Sequence, residues 1–212
     1  MKIATPLPLQ GLRAWIVGGI LVKVGVLGLQ GDVEEHLHML SECGAVPVRV
    51  RSAADVEKID ALIIPGGEST TISKLMHENG IADVVKRRVA KEKIPVWGTC
   101  AGLILIAKKG DEQVRRTGQE LLGLMDIAVD RNAFGRQRES FETAVKFEGI
   151  GEILGVFIRA PVITKVGRGV KVLARYEGKI VAAEEGNLLA TAFHPELSGD
   201  ARVHEYFLKK IR

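Results

Sequence analysis

Residues 94–109 read IPVWGTCAGLILIAKK, two apolar runs separated by a glycine-rich turn that contains a cysteine. The apolar run Ile94–Trp97 predicts a buried strand, and the apolar run that begins at Ala101 predicts a helix to about Lys109. The turn between them, Gly98-Thr99-Cys100-Ala101-Gly102, places a cysteine at the helix N-terminus, where the helix dipole favours the thiolate. Its two glycines relieve the crowding of a strained turn. The pattern therefore predicts that Cys100 is a nucleophile, and the alternative is a buried structural cysteine.

Strand-like and helix-like segments alternate on either side of this turn. Before it, the predicted strands are Lys23–Leu29, Val46–Arg51 and Ala61–Ile64. The predicted helices are one that Asp32 caps and that runs to about Cys43, followed by Thr70–His77 and Ile81–Lys93. After it, β-like segments joined by short glycine turns run from Met125 to Phe193, and Asp200 caps a last helix. This order predicts an α/β fold whose mostly parallel central sheet is covered on both faces and carries appended antiparallel strands. We expect one domain over residues 23–212.

Composition and charge exclude several classes of protein. The 212 residues are 46% apolar and 26% charged, which is typical of a globular chain that forms a full core without disulfides. The two cysteines, Cys43 and Cys100, fit a reducing cytoplasm. The net charge of +4 comes from dispersed basic residues, so no nucleic-acid partner is expected.

Residues 1–22 are predicted to be an N-terminal extension of unknown role. The apolar run Ala14–Val22 has only nine residues, whereas a membrane-spanning helix needs roughly 20. The run passes directly into the strand-like segment at Val24, without the cleavage pattern of a signal peptide. We therefore expect no membrane partner and a cytoplasmic location.

A nucleophilic cysteine needs a base, and His194 is the best placed of the five histidines. It follows the apolar run Leu188–Phe193 and precedes a Pro-Glu pair, and an extended chain directs side chains two positions apart to the same side. Glu196 would then fix the imidazole tautomer and stabilise its protonated form. His36 and His38 share a predicted helix that is rich in glutamate and are interpreted as solvated positions.

The turn Pro65-Gly66-Gly67-Glu68-Ser69-Thr70 also follows a predicted strand and opens a helix. Backbone N–H groups at Gly67 and Ala101 are suited to form an oxyanion hole, and the alternative is a helix start capped by a serine or threonine. No Gly-Lys-Ser/Thr follows, so the turn is not a phosphate-binding P-loop. No cysteine and histidine residues have the spacing of zinc ligands, so neither a metal nor a cofactor is expected.

A polar segment over residues 131–140 contains three arginines. A solvated basic loop is the simplest interpretation. Arg131 or Arg159 could instead hold a substrate carboxylate through two N–H groups, and the sequence alone does not choose between them.

Six ordered motifs give the chain a resemblance to a known family. They are Leu27–Asp32, Pro65–Thr71, Gly98–Gly102, Arg131–Phe141, Phe157–Pro161 and Phe193–Leu197. From about residue 23 to its C-terminus the chain resembles the class I glutamine amidotransferases. The cysteine turn and His-Pro-Glu are shared across that class. Within it the chain resembles the glutaminase subunits of pyridoxal 5′-phosphate synthase, because the blocks Gln30–Asp32, Gly66–Thr70 and Arg131–Gln137 are typical of that branch.

This resemblance implies a three-layer flavodoxin-like fold and hydrolysis of L-glutamine to L-glutamate and ammonia. It implies a catalytic triad of Cys100, His194 and Glu196. The glutamine-binding positions that it implies are Gly67, Glu68, Ser69, Arg131, Ile158 and Arg159. The implied partner is a synthase subunit, a (β/α)8 barrel in a hetero-oligomeric complex, which uses the ammonia to make pyridoxal 5′-phosphate (vitamin B6).

Three alternatives stay open at this point. A glutaminase that serves histidine or purine synthesis would share the triad. A cysteine hydrolase of related fold usually has a histidine directly after the cysteine, where this chain has Ala101. A binding module of the same fold would leave Cys100 inert.

Overall fold

The computed structural model describes residues 14–17, 19–131 and 140–211, and its main element is a large mixed sheet with helices packed against it. The described strands are β1 (Ile16–Val17), β2 (Ile20–Leu21), β3 (Lys23–Leu27), β4 (Val46–Val50), β5 (Ala61–Ile64), β6 (Val96–Thr99), β7 (Ala107–Lys109), β8 (Met125–Asp130), β9 (Ser140–Phe147), β10 (Gly151–Ile158), β11 (Val162–Val166), β12 (Lys171–Tyr176), β13 (Lys179–Glu185) and β14 (Leu188–Thr191). The described helices are α1 (Val33–Glu42), α2 (Ala53–Val56), α3 (Ser69–Glu78), α4 (Ile81–Glu92), α5 (Ala101–Ile106), α6 (Glu112–Arg116) and α7 (Arg202–Leu208). None of these described helices is long and apolar enough to cross a membrane.

Five parallel strands form the centre of the sheet, in the order β4-β3-β5-β6-β14. This is the flavodoxin-like order, in which ligands bind at the carboxyl ends of the strands, near the point where the order reverses. All residues of β5 are buried, so both faces of the sheet are covered there. The predicted fold class is therefore confirmed.

The second half of the chain extends this sheet with antiparallel strands. β13 pairs with both β14 and β12, and β9 and β10 continue the sheet beyond β12. The predicted glycine turns join β12 to β13 and β13 to β14, where Gly178 and Gly186 have φ values of 77° and 56°. The antiparallel addition that the sequence predicts is thus present.

Three predicted boundaries near the cysteine turn are wrong by a few residues. β6 spans Val96–Thr99 rather than Ile94–Trp97. α5 ends at Ile106 rather than near Lys109, because the chain there becomes β7 and Ala107 pairs with Met125 of β8. An apolar run suits a buried helix and a buried strand equally well, so the sequence pattern does not locate this change.

The described part of the N-terminal extension is a short hairpin. β1 and β2 pair in antiparallel fashion, and the N–H of Trp15 donates to a carbonyl in the turn after α1. Beside the hairpin lies a groove bounded in part by Asp60, Pro95 and Asn187, each of which immediately precedes a parallel strand. The hairpin therefore lies at the amino edge of these strands, whereas Cys100 lies at their carboxyl edge.

Candidate active site

Cys100 lies in a strained turn between β6 and α5. Its φ of 48° and ψ of −100° are values that residues with side chains rarely adopt. The flanking glycines are required by close packing. A Cβ on Gly98 would lie 2.4 Å from the backbone of Gly102, and a Cβ on Gly102 would lie 1.9 Å from the carbonyl oxygen of Ile64. The two glycines thus allow the turn to pack against the end of β5, as a nucleophile-bearing turn requires.

A cavity of about 410 Å³ opens beside Cys100. The predicted site residues that line it are Gly67, Glu68, Ser69, Cys100, Ala101, Arg131, Ile158, Arg159 and His194. Gln30 and Asp32, which follow β3, also line it. This volume suits a small metabolite. Residues that are far apart in the sequence therefore meet around one small-molecule site.

His194 and Glu196 are buried beside this cavity and contact each other. Nδ1 of His194 lies 2.8 Å from Oε1 of Glu196. An ionised carboxylate only accepts hydrogen bonds, so Nδ1 carries a proton and Nε2 is the nitrogen left for the thiol. Nε2 is buried and makes no hydrogen bond to a described residue. The predicted contact is present, but it forms through a 3₁₀ turn, Pro195–Leu197, rather than an extended chain.

The surroundings of His194 favour its charged form. Burial disfavours the imidazolium, but Asp32, the adjacent Cys100 sulfur and Glu196 together raise the pKa of His194 to about 12. Burial also raises the pKa of Glu196, although the neighbouring His194 opposes this shift. An imidazolium at neutral pH can stabilise a thiolate and donate a proton to a leaving group.

Asp32 has a role different from the one predicted. We expected it to cap α1, but its side chain makes no capping hydrogen bond. Its Oδ2 lies 3.3 Å from Nδ1 of His194, and this contact lowers the pKa of Asp32. Asp32 is thus a second carboxylate on the same imidazole nitrogen. Sequence reasoning missed it because an aspartate before a helix already has a local explanation as a cap.

The prediction that His36 is solvated is wrong. Its side chain is fully buried, and its Nε2 lies 3.4 Å from Oε2 of Glu196. Its Nδ1 lies 3.0 Å from Nε2 of His204, which is fully buried as well. His38 is exposed as predicted, and it lies 3.3 Å from Glu42. The buried triad contact therefore continues inward from Glu196 to two further histidines.

The turn after β5 is organised by Glu68 and Gln30. Glu68, rather than a serine or threonine, caps α3, because its carboxylate accepts hydrogen bonds from the N–H groups of Thr70 at 3.1 Å and Thr71 at 2.6 Å. Burial opposes the ionised form, but these hydrogen bonds lower the pKa of Glu68. The amide oxygen of Gln30 accepts a hydrogen bond from the N–H of Glu68 at 2.8 Å. These contacts hold the turn in place beside the cavity.

Gly67 and Ala101, the predicted oxyanion-hole pair, both line the cavity beside Cys100. Gly67 has a φ of 142°, a backbone conformation that glycine adopts readily. Ala101 is the first residue of α5, so its N–H is one of those without a partner inside the helix. The location of both residues is compatible with the predicted role.

Arg131 and Ser69 are joined through the buried amide of Gln119. Oε1 of Gln119 accepts hydrogen bonds from Oγ of Ser69 and from Nη1 of Arg131, each at 3.2 Å. Nη2 of Arg131 lies 3.6 Å from Oε1 of Glu68. The guanidinium is therefore fixed at the cavity wall. The remainder of the basic segment, residues 132–139, lies outside the described residues.

Ile158 and Arg159 bring the end of β10 to the cavity. Sγ of Cys100 lies 3.7 Å from the carbonyl oxygen of Ile158, to which the thiol donates. Arg159 is exposed, lines the cavity and has a φ of 43°. A strained conformation held beside a binding cavity is typical of residues with a functional role.

Among the described residues, one group has donor atoms close enough together to hold a metal ion. It consists of Asp32, His194 and Glu196, whose donor atoms lie within 4.8 Å of one another. Both carboxylates, however, face the same ring nitrogen. A cation bound there would have to displace the proton on Nδ1, so the arrangement suits a hydrogen-bonded imidazole better than a metal site.

Comparison with known proteins identifies the family of this chain. The profile of the SNO glutamine amidotransferase family matches residues 26–212. The chain is 53% identical to the pyridoxal 5′-phosphate synthase subunit PdxT of Methanosarcina mazei, over 90% of this chain and 98% of that protein. It is 55% identical to the PdxT subunit of Archaeoglobus fulgidus, over 89% of this chain and 98% of the relative.

Solved structures agree with these matches. A crystal structure of a glutamine amidotransferase superposes with a TM-score of 0.84 at 48% identity, covering 89% of this chain and 98% of the other. The structure of PurLQS from Thermotoga maritima, at 16% identity, has a TM-score of 0.61 over 91% of this chain and 100% of the other, and it shares the fold alone. The resemblance drawn from the motifs is therefore confirmed, and the chain belongs to the SNO glutamine amidotransferase family.

Proposed function

We propose that this chain hydrolyses L-glutamine to L-glutamate and ammonia, and that it supplies the ammonia to a pyridoxal 5′-phosphate synthase. The observation that carries the proposal is the arrangement around one cavity of a strained Cys100 and a His194 that hydrogen bonds to Glu196. A thiol beside an imidazole that is oriented by a carboxylate is the arrangement of an activated nucleophile.

The reaction begins with attack of the Cys100 thiolate on the side-chain amide carbon of glutamine. The carbonyl oxygen becomes an oxyanion, which the backbone N–H groups of Gly67 and Ala101 stabilise; loss of one such donor typically costs roughly 3–4 kcal/mol. The C–N bond then breaks. His194 donates its Nε2 proton to the departing nitrogen, which leaves as ammonia, and the γ-glutamyl group remains on Cys100 as a thioester.

The second half of the reaction regenerates the thiolate. His194, now neutral, accepts a proton from water as the water oxygen attacks the thioester carbon. The C–S bond breaks, glutamate leaves, and the thiolate and imidazolium are restored. Glu196 and Asp32, both in contact with Nδ1, stabilise the charge on His194 at the start and the end of each cycle.

Recognition of glutamine requires groups that bind its α-carboxylate and its α-ammonium. The guanidinium of Arg131 is oriented at the cavity wall by Gln119, and it provides a fixed cation for the carboxylate. Glu68 contributes negative charge at the same wall, and Ser69, Ile158 and Arg159 complete it. Charges of both signs at one end of the cavity distinguish an amino acid from a simple amide.

The partner we propose is the synthase subunit of a hetero-oligomeric complex, a (β/α)8 barrel that receives the ammonia. The support is the name shared by the relatives, pyridoxal 5′-phosphate synthase subunit PdxT, at about 50% identity over nearly their whole length. We also propose a cytoplasmic location, which the two free cysteines suit.

We further propose that residues 23–212 constitute the amidotransferase domain and that residues 1–22 are an extension of it. The family profile begins at residue 26. The described part of the extension lies at the amino edge of the parallel strands, away from the cavity. It therefore takes no part in the chemistry at Cys100.

The test is an assay of ammonia release from L-glutamine, with and without a pyridoxal 5′-phosphate synthase subunit. We expect slow release by the chain alone, faster release with the synthase, and none above background from Cys100→Ala. Cys43→Ala changes the other buried cysteine and serves as the matched control. Persistent ammonia release by Cys100→Ala would refute the nucleophile assignment. Activation by a synthase of histidine or purine biosynthesis instead would refute the partner.

A further inference from the structure

Two buried histidines lie behind the triad, on the side of Glu196 away from His194. His36 on α1 and His204 on α7 are both fully buried, and their rings pack against the indole of Trp97 at centroid distances of 5.5 Å and 4.9 Å. Burial lowers the pKa of His36 well below its usual value and lowers that of His204 to about 3. Each ring is therefore neutral and carries one N–H.

The contacts of these rings fix where the two protons lie. Nε2 of His36 lies 3.4 Å from Oε2 of Glu196 and 3.3 Å from Oγ1 of Thr99. An ionised carboxylate only accepts, so the proton of His36 is on Nε2 and its Nδ1 is an acceptor. That Nδ1 lies 3.0 Å from Nε2 of His204, which must then be the donor. The N–H of His204 thus faces His36, and the N–H of His36 faces Thr99 and the carboxylate of Glu196.

This order also accounts for the one polar atom at its inner end. Nδ1 of His204 is buried without a hydrogen-bond partner among the described residues. In the order above it is an unprotonated acceptor and not a stranded N–H. The remaining contact is the one that matters for chemistry: Oε2 of Glu196 makes no hydrogen bond of regular geometry among the described residues, and Nε2 of His36 approaches it at 3.4 Å as a close electrostatic contact.

Glu196 needs such a donor. Its side chain is completely buried, and an isolated buried carboxylate takes up a proton. A protonated Glu196 would no longer stabilise the charge on His194 through Nδ1. His194 holds Oε1 at 2.8 Å, so the second oxygen is the one that requires an additional partner.

We propose that His36, held in its tautomer by His204, is a positioning residue that keeps Glu196 ionised and aimed at His194. The inference rests on the proposed glutaminase function and deepens it, because it extends the working unit from three residues to five. His36 touches neither the cavity nor the substrate, and it acts only through Glu196. The polar and charged groups that face it are Glu196, His204 and Thr99, with His194 beyond Glu196.

The experiment compares His36→Gln with His36→Asn in the full chain with its synthase partner. In His36→Gln the side-chain amide nitrogen falls near the position of Nε2, so an N–H still faces Glu196. In His36→Asn the side-chain nitrogen falls near the position of Nδ1, and no N–H faces Glu196. Loss of the N–H that faces the Glu196 carboxylate predicts a kcat roughly tenfold lower for His36→Asn, with KM unchanged, which corresponds to a change of about one pKa unit at the carboxylate. His36→Gln should retain most of the activity. His38→Asn, on the exposed face of the same helix, is the control.

A second readout does not depend on glutamine. The rate of alkylation of Cys100 by iodoacetamide is measured against pH, with the modified peptide identified by mass spectrometry. A weaker Glu196 carboxylate stabilises the imidazolium less, and the imidazolium then stabilises the thiolate less. The rate of alkylation at neutral pH should therefore fall in His36→Asn. It should stay near the wild-type value in His36→Gln.

Each outcome decides the proposal. Equal kcat values and equal alkylation profiles for the two variants would overturn it, because the proposal requires the two amides to differ in what they present to Glu196. A wild-type chain that releases no ammonia would refute the proposed function instead, and the alkylation profiles would still test the link from His36 to Cys100. If His36→Asn does not fold, His204→Gln and His204→Leu make the same comparison at the contact between His204 and His36, since only Gln keeps a donor for His36.

Discussion

Oε1 of Glu196 lies 2.8 Å from Nδ1 of His194, and both side chains are buried. This hydrogen bond leaves Nε2 of His194 as the nitrogen available to Cys100. Asp32 approaches the same Nδ1, with its Oδ2 at 3.3 Å. The imidazolium is therefore stabilised by two carboxylates of different burial, and their contributions can be separated by mutation.

Glu196→Gln should lower kcat by at least about 100-fold, the lower end of what positioned acid–base catalysis contributes. Asp32→Asn should have a smaller effect, because its contact is longer and its side chain is partly exposed. The double variant should lose less than the product of the two single effects would predict, since both act on one nitrogen. The check is steady-state ammonia release with Glu185→Gln as the control. A larger loss for Asp32→Asn than for Glu196→Gln would reverse the assignment.

Arg131→Gln should raise the KM for glutamine at least roughly tenfold and leave kcat little changed, because the guanidinium binds a group that does not react. Arg115, exposed on α6, provides the matched control in Arg115→Gln. Gln119→Leu should shift KM in the same direction, since it removes the acceptor that orients Arg131. An unchanged KM in Arg131→Gln would assign the substrate carboxylate to another cation, and Arg159 lines the same cavity.

Gly102→Ala should destabilise the chain by about 3 kcal/mol or more, because overpacking against backbone cannot be relieved by a side-chain rotation. The added Cβ would lie 1.9 Å from the carbonyl oxygen of Ile64. Gly169→Ala is the control, since its nearest heavy atom is Oε1 of the flexible Glu185 side chain at 3.3 Å. Urea unfolding of both variants checks this prediction. Equal stabilities would show that the cysteine turn is less closely packed than described.

His204 should make the protein less stable as the pH falls. Burial lowers its pKa to about 3 in the folded state, while the unfolded chain protonates it near 6.5. Its contribution is therefore fully present above about pH 6.5 and declines between about 6.5 and 3, at about 1.4 kcal/mol per pH unit. His204→Gln, which does not titrate, should have a shallower decline in unfolding free energy over that range. A decline identical to that of the wild type would show that His204 is accessible to protons in the folded state.

The sequence predicted those parts of the site that have a local signature. Cys100 stands between paired glycines after an apolar strand, and His194 stands at the end of another apolar run. Parallel strands bring their carboxyl ends to one edge of a sheet, so residues that follow β5, β6 and β14 necessarily come close together. The matches to the family, its relatives and a solved structure confirm the predicted family, fold and enzyme class.

The residues that the sequence did not reveal act through contacts that no local pattern encodes. His36 and His204 are 168 positions apart, and nothing near either residue indicates the other. A partial signal was present, because His36 lies three residues after Val33 and four before Leu40, on the buried stripe of α1. The glutamates beside His36 in the sequence directed the interpretation to the solvated face instead. Gln119 follows the short helix α6, which the apolar periodicity did not predict.

The most direct test of the account is covalent labelling with the glutamine analogue 6-diazo-5-oxo-L-norleucine in the presence of the synthase subunit, followed by peptide mass spectrometry. We expect one adduct per chain, on Cys100. We expect none on Cys43, because burial and neighbouring glutamates raise the pKa of that thiol to about 11. Protection by excess L-glutamine should slow the labelling. An adduct on Cys43, or an unmodified Cys100 in a preparation that releases ammonia from glutamine, would contradict the claim that Cys100 is the nucleophile.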